Sequence, residues 1–248
     1  MDADSSSERA GTVELAPDLA EQLSRLAKAL QKDRDLGATL ETVVGAALEL
    51  IPGAAAGSIS VVEQRRNLRS EAPSSDLPVR FDRMQGELDE GPCLDSVWEE
   101  KTVRVNDFGQ ESERWPRLAP AAVAAGVRSM LCFQLFVEGD NLGALNIIGS
   151  EPDAFDQESE DIGLLIAAHA SVAFADAKQI SQLQQAIDTR DLIGQAKGIL
   201  MERYRITSQQ AFLVLATASR NTNRKLRDVA GHLASTGELP GGAERTPG

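Results

Sequence analysis

The feature that most constrains this chain is a long proline-free stretch of helical pattern, from Asp156 to about Arg203. Asp156 is a good N-cap residue. At about 1.5 Å per residue, the stretch would form a rod of roughly 70 Å. Gly163, Gly194 and Gly198 count against continuity, because glycine weakens a helix interior. Despite these glycines, the absence of proline and the helical pattern predict one long helix, which the rest of the fold must accommodate.

The apolar residues of this stretch recur close to the a/d spacing of a coiled coil, which predicts a dimerisation stalk. Polar Gln184, Gln185 and Asp188 surround this stripe, so the alternative is the last helix of a domain followed by a polar linker. The stripe comprises Ile162, Leu165, Ile166, His169, Val172, Ala173, Ile180, Leu183, Ile187 and Ile193.

The sequence before the long stretch mixes helices with short strands. Leucines at helical spacing from Leu19 to Leu30 predict one helix, and a second pattern runs from Leu36 to Ile51. Short helices are expected from Pro92 and from Trp115-Pro116 to Gly126. The combination predicts an α+β fold with a mainly antiparallel sheet. The expected strands are Ser58–Val62, Leu68–Ala72, Thr102–Asn106, Ser129–Val137 and Leu142–Ser150, with turns at Gln64–Asn67 and Glu138–Asn141.

Charge is unevenly distributed along the 248 residues, whose net charge is −13. Residues 179–248 hold nine basic and six acidic groups, a net of +3, which leaves −16 on the remainder. A basic C-terminal segment on an acidic body raises a nucleic-acid hypothesis for that segment. Two cysteines and two histidines are too few for a disulfide framework, a structural zinc site or most histidine-dependent hydrolases. With no apolar run long enough to span a membrane and no secretory signal pattern, the cytoplasm is the expected location.

Three helices are predicted in the C-terminal segment. Thr207 and Gln210 form a capping box, so the second helix starts at Ser208, and Asn221-Thr222-Asn223 ends it. The third helix ends near Gly237. The bundle is small and has a thin core, so a paired stalk would support it. Its expected core residues are Ala211, Phe212, Leu215, Ala218, Leu226, Val229, Ala230 and Leu233.

Basic side chains gather on the helix ends and connections of this bundle, where they can meet backbone phosphates. The alternative for them is a solvated surface. Gly194 and Gly198 would let a nucleic-acid chain approach one helix closely. Tyr204 can stack on an unpaired base, or alternatively cap the bundle core. The basic residues are Lys197, Arg203, Arg205, Arg220, Arg224, Lys225 and Arg227.

The segment from Ile187 to Ala234 closely resembles the ANTAR domain, an RNA-binding module of bacterial transcription antiterminators. The resemblance rests on Ala196-Lys197-Gly198, on Leu200-Met201, on Ala211-Phe212 with Leu215 and Ser219, and on the run from Asn223 to Ala230. It implies a dimer that binds paired stem-loops in nascent RNA and thereby prevents a terminator hairpin. The expected RNA-binding residues are Lys197, Gly198, Arg203, Tyr204, Arg220, Lys225 and Arg227.

The segment from Leu36 to Ala177 resembles a GAF domain. The marks are Gly91-Pro92-Cys93, the paired strands LCFQLFVEGDNLGALNII, and Pro152 with Ala154-Phe155. Together the two segments resemble the GAF–ANTAR regulators of actinobacteria. The resemblance implies a sensor with a small-molecule pocket on one face of its sheet, although aromatic residues are more often plain core. The candidate pocket residues are Phe81, Trp98, Phe108, Trp115, Phe133 and Phe136.

The expected organisation has a disordered tail at 1–16, a GAF-like sensor domain at 17–177, a stalk at 156–190, an ANTAR domain at 187–236 and a second tail at 237–248. No cofactor, metal or catalytic activity is expected.

Three other interpretations remain open. In the first, the third helix of a DNA-binding bundle enters the major groove. In the second, the domain is a thiol-dependent enzyme in which Cys93, at a helix start, has a lowered pKa. In the third, the protein regulates through protein partners alone.

Overall fold

The computed structural model describes residues 17–240, except 33–34, 64–66, 99–101 and 138–139. The chain divides into a first unit, residues 1–178, and a second unit, residues 179–248. The second unit comprises the residues whose net charge is +3. Predictions for the tail at 1–16, for residues 241–248 of the second tail and for the central residues of both strand turns lie outside the described residues.

The first unit contains a five-stranded sheet in the order β2-β1-β5-β4-β3. Every neighbouring pair of strands is antiparallel, which confirms the predicted α+β class. The strands are β1 (Ala56–Glu63), β2 (Asn67–Glu71), β3 (Thr102–Val105), β4 (Ser129–Val137) and β5 (Asp140–Gly149). The helices that lie wholly in this unit are α1 (Pro17–Lys32), α2 (Leu36–Leu50), α3 (Asp76–Leu88), α4 (Pro92–Trp98) and α5 (Leu118–Ala125).

Strand alternation gives the sheet two buried faces. In β4, Leu131, Phe133 and Leu135 face one core, which α1, α2 and the first turns of α6 (Gln157–Tyr204) complete. Met130 and Cys132 face the other core, which is covered by α3, α4 and α5. The sheet is therefore sandwiched between helical layers.

The helix α3 was not predicted from the sequence. Pro78 and Gly86 interrupt its helical pattern, and the apolar residues around them are few. Pro78 lies in the first turn, where its missing N–H leaves no helical hydrogen bond unmade. The helix ends at Asp89, which adopts the left-handed conformation with φ 55°. A helix that has a proline in its first turn and an internal glycine is thus hidden from pattern analysis.

The predicted long helix is confirmed as α6, which is continuous over 48 residues. Asp156 caps its start, because its Oδ1 accepts a hydrogen bond of 2.9 Å from the backbone N–H of Ser159. The three glycines do not interrupt it. His169 was predicted on the apolar stripe, but it is exposed, and its Nδ1 lies 2.7 Å from the carbonyl oxygen of Leu165.

The C-terminal helices form as predicted. They are α7 (Ser208–Thr222) and α8 (Leu226–Thr236), and Thr207 and Gln210 form both hydrogen bonds of a capping box. Asn223 and Gly237 end the two helices in the left-handed conformation. Phe212 was predicted to be buried but is 41% exposed, because the core of this small bundle is filled by smaller residues. The fully buried core consists of Ala196, Leu200, Ala211, Leu215, Val229, Ala230 and Leu233.

Candidate functional site

The basic side chains of the second unit differ in whether they have partners. Within the described residues, the ammonium groups of Lys197 and Lys225 form no hydrogen bond or ion pair, and neither does the guanidinium group of Arg224. These three cations are therefore available to an anion from outside. Four arginines have local partners: Arg203 with the Gly237 carbonyl, Arg205 with Glu202, Arg220 with Thr217, and Arg227 with Asp228.

Three of the predicted RNA-binding residues, Arg203, Lys225 and Arg227, lie at the two ends of α8. Lys225 caps its start. Arg203 donates a hydrogen bond of 2.6 Å to the carbonyl of Gly237 just beyond its end. The eleven residues of α8 separate these positions by about 16 Å at 1.5 Å per residue. Arg203 and Tyr204 are therefore not gathered with the cations at the start of the helix.

Four cations cluster around the connection between α7 and α8: Arg220, Arg224, Lys225 and Arg227. The connection is held by the hydroxyl of Ser219, which donates a hydrogen bond of 2.6 Å to the carbonyl of Arg224. The backbone N–H of Arg224 in turn donates to the carbonyl of Ser219. A turn fixed in this way presents its basic side chains at defined positions.

Gly194 and Gly198 leave open space on α6. A Cβ atom at either position would meet no other atom within 4 Å, so neither glycine is required for packing among the described residues. A shallow depression of about 580 Å³ lies along this part of α6, and Gly194, Arg190, Lys197 and the acidic Asp191 are among the residues that line it. This arrangement fits the predicted close approach of a nucleic-acid backbone.

Tyr204 is 49% exposed, which leaves much of its ring free to stack. The alternative, that it caps the bundle core, predicts a buried ring. Phe212 is also exposed and adds a second aromatic side chain to the surface of this unit.

The candidate pocket aromatics of the first unit are split between the faces of the sheet. Phe108 packs against Phe81 and Trp115, with ring centroids 5.6 and 5.9 Å apart, on the face covered by α3–α5. Phe133 is buried on the opposite face. Phe136 is 52% exposed. The side chain of Trp98 lies outside the described residues. The structure therefore brings only three of these residues together, as packed core.

A buried polar cluster lies on the same face as those three aromatics, and sequence analysis missed it. Its centre is the carboxylate of Asp82 in α3, whose Oδ2 accepts hydrogen bonds from the hydroxyls of Ser60, at 2.6 Å, and Ser70. The amide of Asn146 in β5 donates to the Ser60 hydroxyl at 2.6 Å. Four separate elements thus converge on one group of hydrogen bonds.

Both cysteines belong to this cluster. The Sγ atoms of Cys93 and Cys132 lie 3.1 and 2.8 Å from Oδ1 of Asn146. The side-chain amide of Gln85 contacts both the backbone and the thiol of Cys93. Its Oε1 accepts a hydrogen bond of 3.0 Å from the Cys93 backbone N–H, and its Nε2 lies 2.8 Å from the Cys93 Sγ. The cluster is closed to solvent, since Asp82, Cys93 and Asn146 are each at most 2% exposed.

Burial controls the ionisation of these groups. It raises the pKa of the Cys93 thiol well above its usual range, and the neighbouring Cys132 and Asp82 act in the same direction. The prediction of a lowered pKa at Cys93 is therefore wrong: the thiol is buried and protonated. Burial also raises the pKa of Asp82, although hydrogen bonds from Ser60, Ser70, Cys93 and Gln85 oppose the shift.

Ser58 adds an unsatisfied group beside this cluster. Its hydroxyl is buried and has no hydrogen-bond partner among the described residues, and Ser58 is the cross-strand neighbour of Asn146. Buried hydroxyls ordinarily have partners, so Ser58 is an exception within this part of the fold. The signal in the sequence was the alternation of Ser58 and Ser60 with apolar residues, which places both hydroxyls on one inward face.

Among the described residues, no group of three or more histidine, cysteine or acidic side chains is arranged to hold a metal ion. Within the same residues, no helix has the length and apolarity needed to cross a membrane.

Two family models match this chain. A GAF domain matches residues 33–175, and an ANTAR domain matches residues 181–233. The anaerobic nitric oxide reductase transcription regulator NorR of Shigella flexneri is 30% identical over an alignment of 147 residues that covers 54% of this chain. The chain spans only 29% of the length of that relative.

Solved structures share the fold of the first unit. The GAF domain of a phosphoenolpyruvate-protein phosphotransferase from Coxiella burnetii aligns with a TM-score of 0.53 and 19% identity, over 66% of this chain and 96% of that chain. The free methionine-R-sulfoxide reductase of Neisseria meningitidis aligns with a TM-score of 0.51 and 17% identity, over 66% and 95%. At such identities the likeness concerns the fold alone.

The domain pair fits a regulatory protein that couples a sensor to an output module. Because the GAF model matches more than half of its length, the chain belongs to the GAF domain family, and it carries an ANTAR domain in its C-terminal part.

Proposed function

We propose that this protein is an RNA-binding transcription antitermination regulator, in which a GAF sensor domain controls a dimeric ANTAR module. The observation that carries the proposal is a three-helix unit of net positive charge, matched by the ANTAR model, on which Lys197 and Lys225 have no partner among the described residues. Its site of action is nascent RNA in the cytoplasm.

The proposed ligand is a pair of RNA stem-loops. Bases in a small loop are unstacked and present their edges, whereas an A-form duplex hides its bases in a deep, narrow major groove. Lys197, Arg203, Arg220, Lys225 and Arg227 contact phosphates or loop bases, and Tyr204 stacks on a base. Gly198 lets the RNA approach α6.

The proposed dimer forms along α6. Val172, Ile180, Leu183 and Ile187 are each more than 40% exposed on this helix, so a second copy is needed to remove them from water. Two ANTAR modules joined in this way bind two loops on one transcript at high effective concentration.

The proposed sensing site lies at the buried polar cluster of the GAF domain. The hydroxyl of Ser58, which has no partner among the described residues, is the group that exchanges a hydrogen bond with a small polar ligand. Ligand binding there requires a movement of the covering helices, and such a movement is the proposed signal.

The test is a titration of the full-length protein at two salt concentrations. The ligands are a two-hairpin RNA, one hairpin alone, and duplex DNA of equal charge. We expect the two-hairpin RNA to bind most tightly, and Lys197→Ala to weaken that binding and reduce its salt dependence. Lys28→Ala, at an exposed position of α1, is the matched control. If all three ligands bind equally and their binding is lost at the higher salt concentration, RNA recognition is refuted and a protein partner is favoured.

A further inference from the structure

A groove of about 530 Å³ lies between α6 and α8 within the second unit. Gly231 leaves room at the floor of the groove because it has no side chain. A Cβ atom there would lie 3.9 Å from Cδ1 of Leu192, and a longer side chain would enter the groove. Polar side chains form its rim. Those that matter here are Gln185 and Asp188 of α6, Arg224 and Arg227 near the start of α8, and His232.

The rim combines groups of opposite charge. The guanidinium group of Arg224 has no partner among the described residues, whereas that of Arg227 lies 3.3 Å from the carboxylate of Asp228. On the α6 side, Oδ1 of Asp188 accepts a hydrogen bond of 2.9 Å from Gln184. The second carboxylate oxygen of Asp188 and the amide of Gln185 remain available to a ligand.

We propose that this groove binds one unpaired nucleotide of the RNA loop, with the phosphate on Arg224 and the base between α6 and α8. This inference rests on the proposed function and adds the element that reads a base. Of the predicted RNA-binding residues, only Arg227 lines the groove.

Charge distinguishes a nucleotide from phosphate alone as the occupant. A groove that bound only phosphate would gain nothing from Asp188 and Asp228, because carboxylates repel phosphate oxygens. A base with an exocyclic amine, by contrast, donates hydrogen bonds to a carboxylate or an amide oxygen. The groove therefore favours adenine, cytosine or guanine, whose exocyclic amine donates to the carboxylate, over uracil, whose one base donor is its N3–H.

Shape supports the same occupant. The volume lies within the range of small-ligand clefts, the groove is open to solvent on one side, and Leu192 and Gly231 offer an apolar surface to the face of a base. Arg224 is on the connection that Ser219 fixes, so the backbone position from which its side chain extends is held in place.

The experiment measures binding of the two-hairpin RNA to the full-length protein and to two variants. Gly231→Leu fills the floor, and Asp188→Asn removes the charge that accepts the amine. Each is expected to raise the Kd about tenfold. Asp176→Asn is the matched control, because Asp176 is exposed on α6 and is not part of this groove. An unchanged thermal unfolding midpoint checks that the variants are folded.

A second set of measurements replaces each loop base in turn with uridine. We expect one position at which uridine weakens binding to the wild type but not to Asp188→Asn, because the contact is already lost in that variant. If the wild type prefers the two-hairpin RNA while Gly231→Leu and Asp188→Asn bind it equally well, this inference is overturned and the proposed function stands. If the wild type shows no RNA preference, both are overturned.

Discussion

Gly163 of α6 lies directly against the ring of Phe133 in β4. A Cβ atom on Gly163 would overlap ring atoms Cζ and Cε2 of Phe133 and crowd Cε1. Phe133 is fully buried, so its ring has no free space into which it can move. The glycine therefore allows the long helix to approach the sheet closely, at the cost of about 1 kcal/mol of helix propensity relative to alanine.

Replacing a helical glycine with alanine usually raises the free energy of unfolding, but at Gly163 the same replacement should lower it. We expect Gly163→Ala to lower the free energy of unfolding of the first unit by about 1–3 kcal/mol, because the methyl group overpacks the core. Gly194→Ala, where nothing lies within 4 Å, should instead stabilise the helix by up to about 1 kcal/mol. Urea unfolding followed by circular dichroism measures both. Equal effects of the two substitutions would contradict the contact with Phe133.

The elements that could be predicted from sequence are those with strong periodicity or clear end signals. Asp156 and the Thr207 capping box marked helix starts, and Gly126 and Asn223 marked helix ends in the left-handed conformation. Local hydrogen bonds determine such signals, so they can be read without knowledge of the tertiary structure.

The buried polar cluster could not be predicted in the same way. Asp82 and Asn146 are 64 positions apart in sequence, and only the sheet order and the placement of α3 bring them to the same hydroxyl of Ser60. The helix α3, which carries Asp82, was itself missed because Pro78 and Gly86 disturb its pattern. Likewise, the exposed ring of Phe212 depends on how tightly three short helices pack, which periodicity does not determine.

The buried carboxyl group of Asp82 should make stability depend on pH. Because its pKa is raised in the folded state, the folded protein favours the protonated form. The contribution of Asp82 to the free energy of unfolding is therefore fully present below its ordinary pKa of 3.8. It is lost as the pH rises through the raised pKa of the folded state. Asp82→Asn cannot ionise and should lack this loss.

The measurement is the difference in free energy of unfolding between the wild type and Asp82→Asn, across pH values on both sides of 3.8. We expect the wild type to lose stability relative to the variant as pH increases. Asp76→Asn, at an exposed position of the same helix, is the control. A difference that stays constant with pH would show that burial does not shift the pKa of Asp82.

The capping box at the start of α7 should contribute measurably to the small second unit. Thr207 Oγ1 accepts a hydrogen bond of 3.3 Å from the backbone N–H of Gln210, and the Gln210 side chain accepts one of 2.9 Å from the backbone N–H of Thr207. We expect Thr207→Ala to destabilise this unit by about 1 kcal/mol, because the N–H of Gln210 loses its side-chain acceptor. Thr207→Ser keeps the hydroxyl and should retain most of the stability in thermal unfolding. A loss of the same size in both variants would exclude the cap as its cause.

The exposed apolar residues of α6 should determine the oligomeric state. Leu183 and Ile187 are 57% and 54% exposed, one turn apart, and a paired helix would bury both. We expect the wild-type protein to sediment with the mass of two chains at micromolar concentration and Leu183→Glu to sediment as one, because a charge in the seam is costly to desolvate. Val79→Glu, at an exposed position of α3, should leave the mass unchanged. A wild-type protein that sediments as a single chain at micromolar concentration would refute the dimer, and the expected preference for two hairpins over one would then have no structural basis.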